Sequence, residues 1–257
     1  MALVDVAVNK QSKPDYGVDA PEILRNLFLG GMACLLLGIF LPPIVRVGEI
    51  SIAGLSQAFL WPAGSMLAGA ALFRLYVKIG KFRHRDFMLS LHPWRGDEQV
   101  LDVGCGRGLL LAGAARRLES LHGTGHVTGV DIWSSIDMGG NTPQATLCNL
   151  ELEGLSHRCE LVSVPVQEMS FPDANFDVIV SNLCLHNIES RKVREAGIAQ
   201  IIRVLKPTGV ALISDFKHTR QYAAEFRKAG FSVERRWGNP LLTFPPLCVV
   251  VARRSLP

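Results

Sequence analysis

Val100–Leu111 reads VLDVGCGRGLLL, an apolar run that breaks into glycines and returns at once to apolar residues. A stretch of this kind is a strand whose tight turn opens a helix, and it presents bare backbone N–H groups to a ligand. A dinucleotide pyrophosphate is the first ligand to weigh. The dinucleotide fingerprint wants glycines at its first, third and sixth positions. Counted from Gly104, the third is Gly106 but the sixth is Leu109, with Gly108 one place early. Asp102 stands two residues before the first glycine, facing whatever the turn cradles, and repels a phosphate. It attracts a cation instead, because opposite charges a few ångströms apart in a partly desolvated cleft gain roughly 4 kcal/mol before desolvation costs. A ligand that joins an amino acid, a sulfonium and an adenosine without any phosphate is S-adenosylmethionine.

After Pro93 short apolar segments alternate with helix-like ones, the pattern of βαβ units on a parallel sheet. Strands are expected over Gln99–Val103, His126–Asp131, Glu160–Pro165, Phe176–Asn182, Gly209–Asp215, Ser232–Trp237 and Leu247–Arg253. Helices are expected over Leu109–Leu118, Pro143–Glu153, Arg191–Val204 and Thr219–Ala229, and the last two strands form an antiparallel hairpin across NPLLTFPP. Ligands of such sheets lie beyond the carboxyl ends of the strands. Asp131 closes VTGVD, 25 residues after Gly106, where its carboxylate can accept both hydroxyls of a ribose. Ile132 and Trp133 follow with apolar and aromatic surface for the adenine face, and Trp133 is also assigned to the substrate pocket. Val166 and Gln167 sit where they can meet the adenine edge, and Asn182 ends the fourth strand against the methionine half.

The segments LDVGCGRG, VTGVDIW, MSFPDANFDVIVSNLCLHNI and RVLKPTGVALISDF, in this order and spacing, resemble the class I S-adenosylmethionine-dependent methyltransferases. Within them the chain is similar to the small-molecule branch of ubiquinone/menaquinone biosynthesis methyltransferases, over about Phe87–Arg254. The resemblance implies an α/β fold, a doubly wound, Rossmann-like, seven-stranded sheet with an antiparallel C-terminal hairpin. By position it assigns Asp102, Gly104 and Gly106, with Cys105 between them, to the methionine amine and carboxylate, Asp131 to the ribose, and Val166 and Gln167 to adenine. One departure stands out. Many relatives carry an Asp near the adenine amino group where this chain has Val164-Pro165-Val166, so adenine recognition falls to backbone groups of Val166 and the side chain of Gln167.

Direct methyl transfer needs alignment more than it needs a base. Where a base is needed, His186 in CLHNI follows the fourth strand, and imidazole is suited to proton transfer near neutrality. Asp215 ends the fifth strand and is assigned to the rim of the substrate pocket. Cys184 has no base beside it in the sequence, and direct transfer needs no nucleophilic thiol. The six cysteines show no C-x-x-C pair, which points to free thiols and to no metal site.

Hydrophobic residues make up 48% of the 257 and charged ones only 19%. The excess is local: Leu27–Val45 and Ile50–Phe73 contain no charge and are separated by RVGE alone. Each run is long enough to cross a hydrocarbon core of about 30 Å as a helix. About 25 mostly polar residues precede the first run and no cleavage pattern follows it, so a signal peptide is not expected. Lys10, Lys13 and Arg25 before the first run and Arg74, Lys78, Lys81, Arg83 and Arg85 after the second place both ends in the cytoplasm. The net charge of +4 then serves anionic lipid heads and not nucleic acid. The expected organisation is a polar segment (1–26), two transmembrane helices (27–45 and 50–73), a basic juxtamembrane linker (74–92) and a methyltransferase domain (93–257). The expected partners are the bilayer and a small lipophilic acceptor, the oligomeric state being open. A membrane-anchored protein that binds the cofactor without catalysis is the alternative, and a nicotinamide-dependent oxidoreductase is disfavoured by Asp102 and the missing third glycine.

Overall fold

The computed structural model describes residues 13–134 and 138–254; Lys10, counted above for orientation, lies outside them. Helix α1 spans Pro21–Phe40, six residues ahead of the expected Leu27 start. Pro21 takes the first helical turn, where its missing N–H costs nothing, and Pro42-Pro43 stops the helix before Val45 because proline cannot continue it. The chain then forms an antiparallel hairpin, β1 (Ile44–Val47) and β2 (Ile50–Ala53), with Ile44 opposite Ala53 and Val47 opposite Ile50. The second apolar run therefore starts as a strand, in keeping with its β-branched residues. Helix α2 begins only at Leu55 and runs to Leu75.

The two helices pack closely through glycine. A side chain added at Gly31 would stand 2.8 Å from Leu67 Cγ, and one at Gly38 would stand 2.7 Å from Leu60 Cγ. Backbones that approach this far gain dispersion contact without needing water to drive them together. Their outer faces stay open: Trp61 is 82% exposed and Phe40 80%. Both helices have the length and apolar composition to cross a membrane.

The expected linker is helix. A π-helical turn at Tyr76–Gly80 carries α2 directly into α3, Lys81–Ser90. Two of its five basic residues are structural: Lys81 is 5% exposed, and Arg85 lies beside Asp86 at 2.8 Å with its guanidinium over the Phe82 ring. Arg74, Lys78 and Arg83 face solvent.

The remainder is one seven-stranded sheet. Its elements are β3 (Gln99–Val103), α4 (Leu109–Ser120), β4 (His126–Asp131), α5 (Pro143–Leu152), β5 (Cys159–Ser163), β6 (Phe176–Asn182), α6 (Arg191–Val204), β7 (Leu205–Asp215), α7 (Thr219–Lys228), β8 (Phe231–Trp237) and β9 (Cys248–Arg254). The strand order is β5-β4-β3-β6-β7-β9-β8. All neighbours run parallel except β9, which inserts antiparallel between β7 and β8. The strand expected to begin at Gly209 begins at Leu205 and takes in Lys-Pro-Thr-Gly, in a long β7 whose pairing with β6 shifts register between Phe176 and Val178.

The inner strands β3, β4, β6, β7 and β9 are buried on both faces along most of their length, so they read as continuous apolar runs. Alternation within them still sorts the layers. Val100 and Val178 pack under α3, α4 and α5 with Met88, Leu111 and Leu150, while Leu101 and Ile179 pack under α6 and α7 with Ile198, Tyr222 and Phe226. From β3 the chain winds outward in both directions, to β4 and to β6. That reversal opens a crevice at the carboxyl end of β3, where ligands of such sheets bind.

Gly31→Ile wedges the helix pair apart and lowers the thermal midpoint in detergent micelles by several degrees, the cost of overpacking a close contact being about 1–3 kcal/mol. Gly64→Ile, where an added side chain meets nothing within 4 Å, leaves the midpoint unchanged in the same melt.

Candidate functional site

Asp102 lies on β3 opposite Gly129 of β4 and Val180 of β6. It is 1% exposed, and neither carboxylate oxygen has a hydrogen-bond partner. Burial, and then the neighbouring Asp131 carboxylate, push its pKa up to about 8. A buried acid left unpaired is costly, and such groups concentrate at sites whose ligand completes them. The chemistry that completes this one is a hydrogen-bond donor carrying positive charge.

The glycine turn beyond it is tied down on each side. Gly104 N–H and Cys105 N–H both donate to Val130 O of β4, at 2.8 and 3.1 Å. Ser181 Oγ of β6 donates to Val103 O at 2.8 Å, and Thr146 Oγ1 of α5 donates to Gly106 O at 2.7 Å. Gly104 has φ +71 and lies directly beneath Cys184, whose Sγ fills the space a side chain at 104 would take; only glycine meets both conditions. The Cys105 side chain is turned away from the crevice, buried against Gly129, so the turn offers its backbone there and not its thiol.

Asp131 ends β4. Its Oδ2 accepts Gly106 N–H at 2.8 Å, and its Oδ1 accepts Trp133 N–H at 2.6 Å and Asn141 Nδ2 at 3.3 Å. These donors hold the carboxylate beside the glycine turn, and its oxygens keep lone pairs for further donors. Ile132 is 65% exposed. Trp133 adopts φ 60, and its indole donates to Ser163 Oγ at 2.7 Å, which places it beside the end of β5. Val166 is 7% exposed and packs against Gly197 of α6; it offers backbone, while Gln167 is half-buried. Asn182 ends β6 with Oδ1 buried and unpartnered.

Asp215 differs from its expected place on the pocket rim. It is fully buried because its carboxylate is engaged from several sides: Phe216 N–H donates to Oδ1 at 2.8 Å, and His186 N–H and Tyr222 O–H donate to Oδ2 at 3.1 and 3.2 Å. His186 Nδ1 stands 2.9 Å from Oδ1, and the imidazole packs edge-on to Phe216 with ring centroids 4.7 Å apart. Asp215 therefore stands behind His186 and holds its backbone, while Nδ1 lies close by without hydrogen-bond geometry. Burial, and then the Asp215 charge, push the Tyr222 phenol up, so it remains a donor. Burial and the surrounding carboxylates also push the Cys184 thiol up: it walls the site as a neutral thiol and offers no nucleophile.

A segment that sequence reasoning left aside closes the crevice from outside. Lys13–Ala20 lies over α5, α3 and the glycine turn as a strap. Asp15 N–H donates to Asn149 Oδ1 at 2.9 Å, and Asn149 Nδ2 returns a bond to Asp15 O at 2.8 Å. Asp15 pairs with Arg107 at 2.9 Å. Tyr16 O–H donates to Glu153 Oε1 at 2.8 Å, and Lys81 Nζ donates to Tyr16 O and Gly17 O at 2.9 and 2.5 Å. Met138 bridges to Asp19 and slides its sulfur between Gly17 and Gly106. A Tyr-Gly pair ahead of Pro21 was the available signal, too short to read without its partners.

Residues 100–209 match the family described as "Methyltransferase domain". The chain is 32% identical over 130 residues to a ubiquinone/menaquinone biosynthesis C-methyltransferase of Vibrio campbellii, covering 51% of this chain and 46% of the relative. It is 32% identical over 141 residues to a sterol 24-C-methyltransferase of Gibberella zeae, covering 54% and 33%. It thus spans about half or less of the length of these curated relatives. A crystal structure of a SAM-dependent methyltransferase from Aquifex aeolicus superposes with a TM-score of 0.54 at 17% identity, over 73% of this chain and 98% of that one. Residues 100–209 are thus similar to methyltransferase domains, and the sheet that holds them has the Rossmann-like methyltransferase fold.

Proposed function

We propose that this chain is a membrane-anchored S-adenosylmethionine-dependent methyltransferase acting by direct transfer on a small lipophilic acceptor. The observation that carries the reading is Asp102: a buried, unpartnered carboxylate near the end of β3, beside Asp131 and the glycine turn, fits the ammonium of an amino-acid cofactor and rejects a phosphate. Asp131 beside the glycine turn fits a ribose diol. The names of the similar proteins point the same way, both for the cofactor and for acceptors that live in membranes.

When bound, S-adenosylmethionine supplies an electrophilic methyl group on a sulfonium. Asp102 and the backbone of Gly104 and Gly106 then hold the amino-acid end, Asp131 the ribose, and Gln167 with the backbone of Val166 the adenine. Cys184 packs on Gly104 and excludes water from that side. His186 takes a proton from the acceptor, with Asp215 Oδ1 standing 2.9 Å from its Nδ1. Asp215 holds the backbone of His186 through the His186 N–H, and Tyr222 O–H in turn donates to Asp215.

The apolar helices bring the domain to its acceptor, since a shared bilayer raises the effective concentration of two partners. Helix α1 begins and the α2–α3 helix ends on the same side, both against the domain, which matches a two-pass topology with the N-terminus and the domain in the cytoplasm. The exposed Arg74, Lys78 and Arg83 then meet anionic lipid heads.

Asp102→Asn lowers affinity for S-adenosylhomocysteine by about ten- to hundredfold in calorimetry, the loss of a hydrogen bond to a charged group. The same change stabilises the unliganded protein near pH 8. With its pKa raised from 3.8 to about 8, Asp102 destabilises the fold increasingly as pH climbs from about 4 to 8, and the amide removes that dependence. A variant with unaltered affinity and an unaltered pH–stability profile contradicts the assignment. His186→Gln lowers methyl transfer from labelled S-adenosylmethionine into a membrane-lipid extract by about 10²–10⁴-fold with S-adenosylhomocysteine affinity intact. Asp215→Asn does so by a smaller factor and alters the pH–rate profile; turnover unchanged in both variants rules out the base.

A further inference from the structure

Trp237–Ala252 contains no charged residue, although the loop between β8 and β9 is open to solvent. Trp237 is 61% exposed and Leu241 72%, and Asn239, Pro240 and Pro246 are exposed beside them. An exposed loop that is both apolar and uncharged marks an interaction surface.

Its position along α2 identifies the partner. Phe244 packs on Phe73 with centroids 6.0 Å apart, and its Cζ would lie 3.5 Å from a side chain added at Gly69. Gly69 precedes Arg74, the first basic residue after the apolar run, by five positions, about 7.5 Å of helix. Phe244 therefore touches α2 on the apolar side of its basic collar. The loop is pinned there: Leu242 O lies so close to Gly80 that no side chain fits at that position. Asn239, Leu242 and Thr243 line a small cleft with Arg83, whose guanidinium is exposed and suited to a phosphate head. Inward, Phe244 and Leu247 join Phe73, Tyr76, Leu24, Leu27 and Leu183 in one apolar cluster. Leu183 directly follows Asn182 at the end of β6.

We propose that Gly238–Leu247 is a third membrane-contacting element, seated in the interface of an anionic leaflet beside α1 and α2. With the cytoplasmic ends of those helices it frames the lateral route by which a lipophilic acceptor passes from the bilayer to Leu183 and Asn182. The inference rests on the anchoring reading above and adds a contact that the two apolar runs alone do not require.

The test uses the full chain in liposomes of phosphatidylcholine and phosphatidylglycerol doped with a phospholipid carrying a diazirine in its acyl chain, followed by irradiation and peptide mapping. Adducts are expected on α1, on α2 and on the peptide spanning residues 237–247. Leu241→Glu, at an exposed position that no fold contact needs, lowers the loop adducts by about tenfold and leaves those on the helices unchanged, because a carboxylate is expelled from the acyl region. Labelled helices with an unlabelled loop overturn this proposal alone. Absence of adducts on the helices overturns the anchoring on which it rests.

Discussion

Parallel pairing of Gln99–Val103 with a neighbour on each side is the constraint from which the rest follows. The chain leaves β3 toward β4 and returns on the other side as β6, and the crossover helices diverge at that point. The crevice this opens is lined by whatever ends the three strands. Here those residues are Asp102 with the glycine turn, Asp131, and Asn182 followed by Leu183. Their chemistry, two acids and a set of backbone donors, selects for a ligand that is cationic at one end and carries a diol.

The same crevice is where the fold is least content. Asp102 has no partner, and Asn182 Oδ1 and Asn141 Oδ1 are buried without one. Sites built this way trade stability for affinity, since interactions unmade in the unliganded state become available to the ligand. The surrounding bonds compensate by holding the backbone rather than the acid: Val130 O, Thr146 and Ser181 fix the turn while leaving the carboxylate open.

The apolar helices and the sheet domain are joined by helix among the described residues. The helix that starts at Leu55 runs through a π turn to Ser90 and packs Met88 and Leu89 into the core under the sheet. On the other side the strap turns into α1 at Ala20, after contacting α5, Arg107 and Lys81. The two apolar helices are thus joined to the crevice by continuous helix and packed contacts. Only the arrangement of contacts reveals this, because a run of basic residues after an apolar span reads as a solvated collar until Lys81 and Arg85 are found packed.

Much of the domain was legible in the residues. The bounds of β3, β4 and β6 follow from apolar runs closed by Gly, Asp or Asn, since strands buried on both faces leave an unbroken signal. Asp102 and Asp131 were visible as acids at strand ends, out of keeping with a phosphate cradle. Pro42-Pro43 and the β-branched run after it also carried the β1–β2 hairpin, but length and apolarity spoke louder than local propensity. What the sequence by itself determined is the alternating α/β order, the acids that close its strands and the presence of two long apolar helices, because each is written in neighbouring residues. Only the tertiary structure decided that Asp215 backs His186 instead of lining the pocket, that Cys184 roofs Gly104, and that Asp15 and Asn149, 134 positions apart, strap the site. Those are contacts between side chains distant along the chain, and a local pattern carries no information about which distant group will meet it.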